Sequence, residues 1–460
     1  MGAEGKNRQA EAPPPAPTGM AVPEASTASL TPRRALATVI FVVFLDLVGF
    51  GVVIPILPFY VRSFGVSDVF IGLLAASYSL MQFVFAPLLG RISDSRGRRP
   101  VLMLSLAGSV VAWTVFGLAG EVLSTLGVVA GVTTLFASRM LAGAMGGNIA
   151  TAQAYVADVT PVERRAAALG LIGASFSLGF IFGPALGGVL ASDAVVALAR
   201  DAFPAVVPAS RFSLPSFGAA TLSLLALCSA ALFLPEPERT RGPAERVTIV
   251  GGFVEALSNL RLRALVVSFF LLSLAFSGVQ VMFIPFAADV YGYDATQTAF
   301  FLTYIGFLGA VNQGVLVGRL SARYEGTRLA VVGASVLLVS LVLLPFSPDV
   351  GRLLPTLGGP AWFTRELFVL LVDGALLSFG NSLLNVSLST LVSTRASADR
   401  QGNAFGVTQG AGSLGRTVGP PAMAALYVVG FPLPFVVGAV ILAPIVYILA
   451  RSARDPTPTA

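Results

Sequence analysis

At 460 residues, 55% hydrophobic, 11% charged and with a mean hydropathy of +0.84, the chain is too apolar for an ordinary soluble protein. It has no histidine and one cysteine, Cys228, which excludes histidine-ligated metal sites, histidine proton relays and internal disulfides. Any proton chemistry therefore falls to carboxylates, and the net charge of +6 calls for an explanation from topology or from a partner.

Apolar segments of membrane-crossing length, about 20 residues, recur twelve times. Spans 1 to 12 cover 36–61, 68–90, 100–120, 125–156, 166–191, 215–235, 264–289, 297–317, 329–348, 366–391, 403–429 and 432–450. With both termini on the cytoplasmic side, the inner segments hold 22 of the 29 Lys and Arg residues. The outer segments hold Arg62, Arg200, Arg211, Arg352 and Arg365, and Arg139 and Arg416 lie inside spans. The positive-inside rule thus predicts termini-in and accounts for the basic charge, with no call for nucleic acid. Residues 1–33, rich in Pro, Ala and polar residues, lack the order of a signal peptide and read as a disordered cytoplasmic tail.

Span 1 places Asp46 near the bilayer middle, where a charge costs on the order of 3 kcal/mol and normally faces a bundle interior or a wet cavity. It is the leading candidate for proton coupling; the alternative is a structural acid paired with an arginine. Span 2 carries Gln82. The short connection GRISDSRGRRP follows, holding Gly90, Asp94, Gly97, Arg98 and Arg99 at fixed offsets. Span 4 carries Arg139, the expected partner of Asp46, then Asn148, with Asp158 just beyond. Span 5 reads GLIGASFSLGFIFGPALGG, with Gly170, Gly179, Gly183, Pro184, Gly187 and Gly188 in one uncharged run. Small residues there let a neighbouring backbone approach, and packed partners satisfy the groups that the proline disturbs.

A charged, Pro- and Gly-containing connection at 236–263 divides the chain into bundles at 34–235 and 264–451, with a tail at 452–460. The second bundle repeats the first. Gly406, Gly415, Gly419 and Pro420 reproduce the spacing of Gly170, Gly179, Gly183 and Pro184, and GRLSARYEGTR is a worn copy of the Gly90 connection. Two such halves predict a cargo site at their interface near the midplane. Asp373 and Arg416 form a second acid–arginine set at comparable depth; either they pair, or Asp373 faces a wet cavity and Arg416 binds the end of another helix. Gln280, Asn312, Gln313, Asn381 and Asn385 either line a cavity, with Gln82 and Asn148, or bridge helices.

The pattern G-x8-G-x3-G-P-x2-G-G resembles the fifth-helix signature of proton-coupled antiporters of the major facilitator superfamily. The Gly90 connection resembles the family's loop between helices 2 and 3, and RMLAGAMGGNIATAQAYVADVTPVERR its fourth helix, with Ala142 where glutamine is usual. The likeness runs over all twelve spans and is nearest to the tetracycline-efflux branch. That branch's helix 3 acid, helix 8 histidine and helix 9 acid are replaced by Ala112, Gly309 and Leu337. The resemblance implies an all-α membrane protein of two pseudo-symmetric six-helix bundles in the plasma (inner) membrane. It also implies a latch in which Asp94 meets the start of helix 11 and Arg98 meets Asp158. The expected function is efflux of an amphiphilic small molecule, tetracycline-like or multidrug, by a monomer that exchanges it for protons, using the proton gradient and no cofactor or metal. Uptake by symport or facilitated passage is the alternative. A membrane enzyme or receptor is remote, because no nucleophile stands beside a base and no sensor domain is appended.

Overall fold

The computed structural model describes residue 2 and residues 30–146, 148–202, 209–237, 258, 260–355, 363–395 and 401–454. Helices make up nearly all of them, and no strand occurs among the described residues. Helix 1 is Leu30–Val53, continued beyond a turn at Pro55 by Leu57–Ser63; helix 2 is Val69–Arg96 and helix 3 Arg98–Leu126. Helix 4 comes in two pieces, Val128–Met145 and Asn148–Val159, and helices 5 and 6 are Val162–Leu190 and Ser213–Phe233. In the second half, helix 7 is Leu260–Tyr291. Helix 8 is Ala295–Val311 with a π-turn at Asn312–Leu316 and a last piece Val317–Ser321. Helix 9 is Gly326–Leu343 with short extensions to Leu353, helix 10 is Arg365–Arg395, helix 11 is Gln401–Val429 and helix 12 is Leu433–Arg454. Eleven of these spans are long and apolar enough to cross a membrane; helix 11, which opens QGNAFGVTQGAGSLGR, falls outside that set.

Several boundaries shift from those read in the sequence. Helix 1 starts at Leu30, so the last residues of the expected tail are helical. Residues 3–29, and 238–257 of the expected linker, lie outside the described residues. The connection between helices 5 and 6 contains an unforeseen short helix, Asp193–Ala202, tied by an Asp193–Arg211 ion pair. The interruption in helix 4 falls where Gly146 ends the first piece. Glycine adds no side-chain packing and weakens a helix by about 1 kcal/mol relative to alanine.

The span 5 glycines explain how the first half packs. A Cβ at Gly183 would stand 2.6 Å from the Gly51 Cα, one at Gly179 2.8 Å from the Leu47 Cβ, and one at Gly187 would collide with the Val52 carbonyl. Helices 5 and 1 therefore touch backbone to backbone. Helices 11 and 7 repeat the contact: a Cβ at Gly415 would lie 2.7 Å from the Phe270 carbonyl oxygen, and one at Gly419 would strike Ser277. The repeat visible in the sequence is thus a repeat of packing.

Between the halves, helix 2 packs on helix 11 and helix 5 on helix 8, but only along part of their length. At the end bearing Arg62, Gly72 of helix 2 abuts Pro420 and Ala424, and a Cβ on Gly188 of helix 5 would meet that of Ala299 at 2.7 Å. The Thr296 hydroxyl there donates to the Gly188 carbonyl at 3.2 Å. Toward the end bearing Arg98, Gly90, Gly170, Gly314, Gly318 and Gly406 have nothing within 4 Å of a Cβ position. These glycines sit on the same four helices. The halves meet at the Arg62 end and part at the Arg98 end.

Candidate functional site

Asp46 is half-buried where helices 1, 2 and 4 converge. Its Oδ2 accepts a hydrogen bond from Asn148 Nδ2 at 2.6 Å. Asn148 opens the second piece of helix 4, so the carboxylate also faces the positive end of a half-helix. The expected partner, Arg139, is not there. Asn148 lies nine positions further along helix 4, about 13 Å of helical rise, and Asp46 meets the helix at that level.

Arg139 turns instead toward helix 3. Its guanidinium carbon lies 5.0 Å from the Trp113 ring centroid and 4.7 Å from that of Phe116, and the residue is 6% exposed. A desolvated cation over an aromatic face gains about 2 kcal/mol or more, which gives the arginine a partner at its own level of the bundle. Trp113 is one of two tryptophans in the chain, the one sequence signal that marks this box. Tyr78 of helix 2 was not foreseen either. Its ring lies 5.5 Å from that of Phe50, and its hydroxyl feels the charges of Asp46, Arg139 and Arg416 together.

The expected Asp373–Arg416 pair is likewise absent. Asp373 is fully buried against helix 9, where the Ser340 hydroxyl donates to its carbonyl oxygen at 3.3 Å, and neither carboxylate oxygen has a hydrogen-bond partner. Arg416 is half-buried and donates to the Ser413 hydroxyl, one turn earlier on its own helix, at 2.9 Å. Helices 10 and 11 follow one another in the chain but present these groups to different neighbours. The effects of Asp373→Asn and Arg416→Gln on transport are therefore expected to add, with no recovery in the double variant. Asp373→Asn alone, in place of a buried acid without a donor, should leave the melting temperature of the purified protein at or above wild type, a change within about 1 kcal/mol. Partial rescue in the double variant would restore the pair.

At the Arg98 end, the Gly90 connection is fastened to the first half. Arg98 Nε donates to Asp158 Oδ2 at 3.0 Å, and Nη1 to Asp94 Oδ1 at 2.5 Å and to Ser93 Oγ at 3.0 Å. The carboxylate of Glu236 accepts from the Arg98 and Arg99 amides at 2.7 and 2.9 Å, capping the start of helix 3. Gly97 makes this possible: its φ is +117°, and a Cβ would lie 2.7 Å from the Glu236 Oε1. Glu236 stands far from the loop in sequence and carried no signal. Arg99 reaches the Ala231 carbonyl at 2.6 Å. The Asp94 side chain is 65% exposed, and the side chains at 401–403, where helix 11 begins, lie outside the described residues.

The opposite end carries a clasp that sequence analysis missed. Arg62 bonds Asp68 through Nε and Nη2 at 2.8 and 2.7 Å, and bonds Asp289 of helix 7 through Nη1 and Nη2 at 2.7 and 2.8 Å. The Tyr427 hydroxyl of helix 11 donates to Asp289 at 2.8 Å. Hydrogen bonding to Asp68 first, and then to Asp289, pushes the Arg62 guanidinium further above its ordinary range, so the clasp stays charged at physiological pH. Arg62→Gln should release it. Because the pair is partly exposed, about 1 kcal/mol is at stake, a roughly fivefold shift toward opening at this end. Maleimide labelling of a cysteine placed at Thr296, with Cys228 changed to serine, should rise accordingly. Unchanged labelling would show that apolar packing alone closes this end.

The neutral polar residues divide. Gln82 Nε2 donates to the Gly146 carbonyl at 3.1 Å, Asn312 Nδ2 to Ser378 Oγ at 3.5 Å, and Asn385 Nδ2 to Asn381 Oδ1 at 2.9 Å, so these bridge or brace helices. Gln280 and Gln313 are exposed. Gln313 and Asn385 line an uncharged groove of about 430 Å³ between helices 8 and 10, beside the π-turn and apart from Asp46.

Two bundles that repeat one packing contact, joined at one end, open at the other and holding an acid midway along the first helix, define a membrane carrier. The family model of the Major Facilitator Superfamily matches residues 39–363, and the chain belongs to that family. It is 30% identical to the class C tetracycline resistance protein of Escherichia coli over 86% of this chain and 90% of the relative. It is 29% identical to major facilitator superfamily domain-containing protein 10 of Mus musculus over 86% and 87%. Among solved structures, a bacterial homolog of the human lysosomal transporter Spinster, inward-facing and occupied, aligns with a TM-score of 0.71 at 15% identity, covering 92% of this chain and 98% of that one. The human organic anion transporter MFSD10 (TETRAN) aligns with a TM-score of 0.63 at 23% identity over 91% and 99%.

Proposed function

We propose that the protein exports an amphiphilic small molecule in exchange for protons by alternating access. In this reading it is a monomer in the plasma membrane with both termini cytoplasmic, the Arg98 end faces the cytoplasm, and the proton gradient is its only energy source. The observation that carries the reading is Asp46, an acid at mid-membrane held by a neutral amide rather than by an arginine. An acid locked in a salt bridge is poorly placed to exchange its proton. One held by Asn148, beside a space open at the cytoplasmic end, can take a proton or release it to cargo. Relatives named for tetracycline resistance support export. Bundle packing that closes one end while the other is open supports alternating access.

The test is transport by inverted vesicles containing the protein, with and without an imposed proton gradient. Export predicts accumulation inside them that collapses when the gradient is dissipated. Accumulation in right-side-out vesicles under an inward proton gradient would instead establish uptake.

A further inference from the structure

Arg416 occupies a place that neither the pairing expected from sequence nor the proton chemistry at Asp46 accounts for. It lies at mid-depth on helix 11, on the side from which its charge reaches Tyr78 of the opposite half. A guanidinium has five donors in a planar fork. The hydrogen bond shown for this one is to the neutral Ser413 hydroxyl, and no carboxylate forms an ion pair with it among the described residues. The position one turn before it is Gly412, where a Cβ would lie 3.1 Å from Ser273 Oγ and 3.5 Å from Arg416 Nη1. A side chain there would crowd both Ser273 and the guanidinium, so glycine keeps that side of Arg416 clear.

The surrounding charges decide what fits. Three ionisable side chains act on the Tyr78 hydroxyl: Asp46, Arg139 and Arg416. Arg139 is sealed over Trp113 and Phe116, which leaves Arg416 as the arginine of the three that is not closed off. The centre is positive by one charge with Asp46 ionised and by two with it protonated. A cargo with only a cationic group meets repulsion in both states. An anionic oxygen pair, by contrast, matches the guanidinium fork.

We infer that Arg416 is the subsite for an anionic group of the cargo, which is therefore an amphoteric amphiphile with an ionised acid at one end and a hydrogen-bond donor or cation at the other. The acid sits on Arg416 and the donor end competes with the proton for Asp46, so exchange is retained. This rests on reading the space between the halves as the cargo site.

The test uses rhodamine B, which carries a free carboxylate beside its cationic ring system, and its ethyl ester, which lacks that anion. Binding to the purified full-length protein in detergent is followed by fluorescence anisotropy, without a gradient. Wild type should bind the acid at least tenfold more tightly than the ester. Arg416→Gln should erase the difference while still binding the ester, which shows that the variant is folded. Arg416→Lys, retaining the charge without the fork, should recover part of the preference. Equal affinity of wild type for acid and ester, an undiminished preference in Arg416→Gln, or failure of wild type to bind either dye would each overturn the inference. Gradient-dependent transport in inverted vesicles would survive any of these results, so the two readings fail separately.

Discussion

Asp46→Asn is expected to abolish proton-driven accumulation in inverted vesicles, leaving uptake at the level seen with the gradient collapsed. The substitution removes the titrating group but keeps its shape, and the asparagine carbonyl still accepts the Asn148 amide bond, 2.6 Å long with the native acid. The folded protein should therefore persist in the membrane, with a stability change within about 1 kcal/mol. Asp46→Glu, which keeps an acid one methylene further out, should retain some gradient dependence. The two together separate loss of a proton site from loss of a contact. Gradient-dependent accumulation at wild-type level in Asp46→Asn would remove Asp46 from the coupling step.

The halves and their repeat were legible because each leaves a local mark: apolar runs and glycine spacing. Partner choice was not. Sequence places Asp46 and Arg139 in spans 1 and 4 and suggests mutual neutralisation, but the rise between Arg139 and Asn148 along one helix separates them. It likewise suggests Asp373 with Arg416 from depth alone, although rotation about each helix axis decides which neighbour a side chain meets. The Arg62–Asp289 clasp joins residues 227 positions apart that look like ordinary loop and helix-end charges. Resemblance pointed to Arg98 and Asp158 for the inner loop, and the structure puts them 3.0 Å apart. It gave no sign of Glu236 at the same helix start, because a capping carboxylate can come from any segment that passes near.

Glycines of the same signature should give opposite phenotypes when enlarged, according to which end of the bundle they occupy. Gly183 and Gly415 lie in closed seams, where a Cβ would come within 2.6 Å of Gly51 and 2.7 Å of the Phe270 carbonyl oxygen. Valine at either position forces backbones apart, at a cost of about 1–3 kcal/mol or more, so yield and melting temperature should fall together. Gly170 and Gly406 face open space at the Arg98 end. A Cβ there meets nothing within 4 Å in this state, and replacing glycine within a helix regains up to about 1 kcal/mol of helix propensity. Gly170→Trp and Gly406→Trp should therefore melt at or above the wild-type temperature and keep dye binding. Turnover is another matter, because the opposite state requires helices 5 and 8, and 2 and 11, to meet where those indoles now stand. Transport should drop by more than about tenfold, the consequence of only 1.4 kcal/mol against the closed state, with labelling at Thr296 suppressed. Wild-type turnover in Gly170→Trp and Gly406→Trp would mean that the halves never close at that end, and the rocking of one bundle against the other would have to be abandoned.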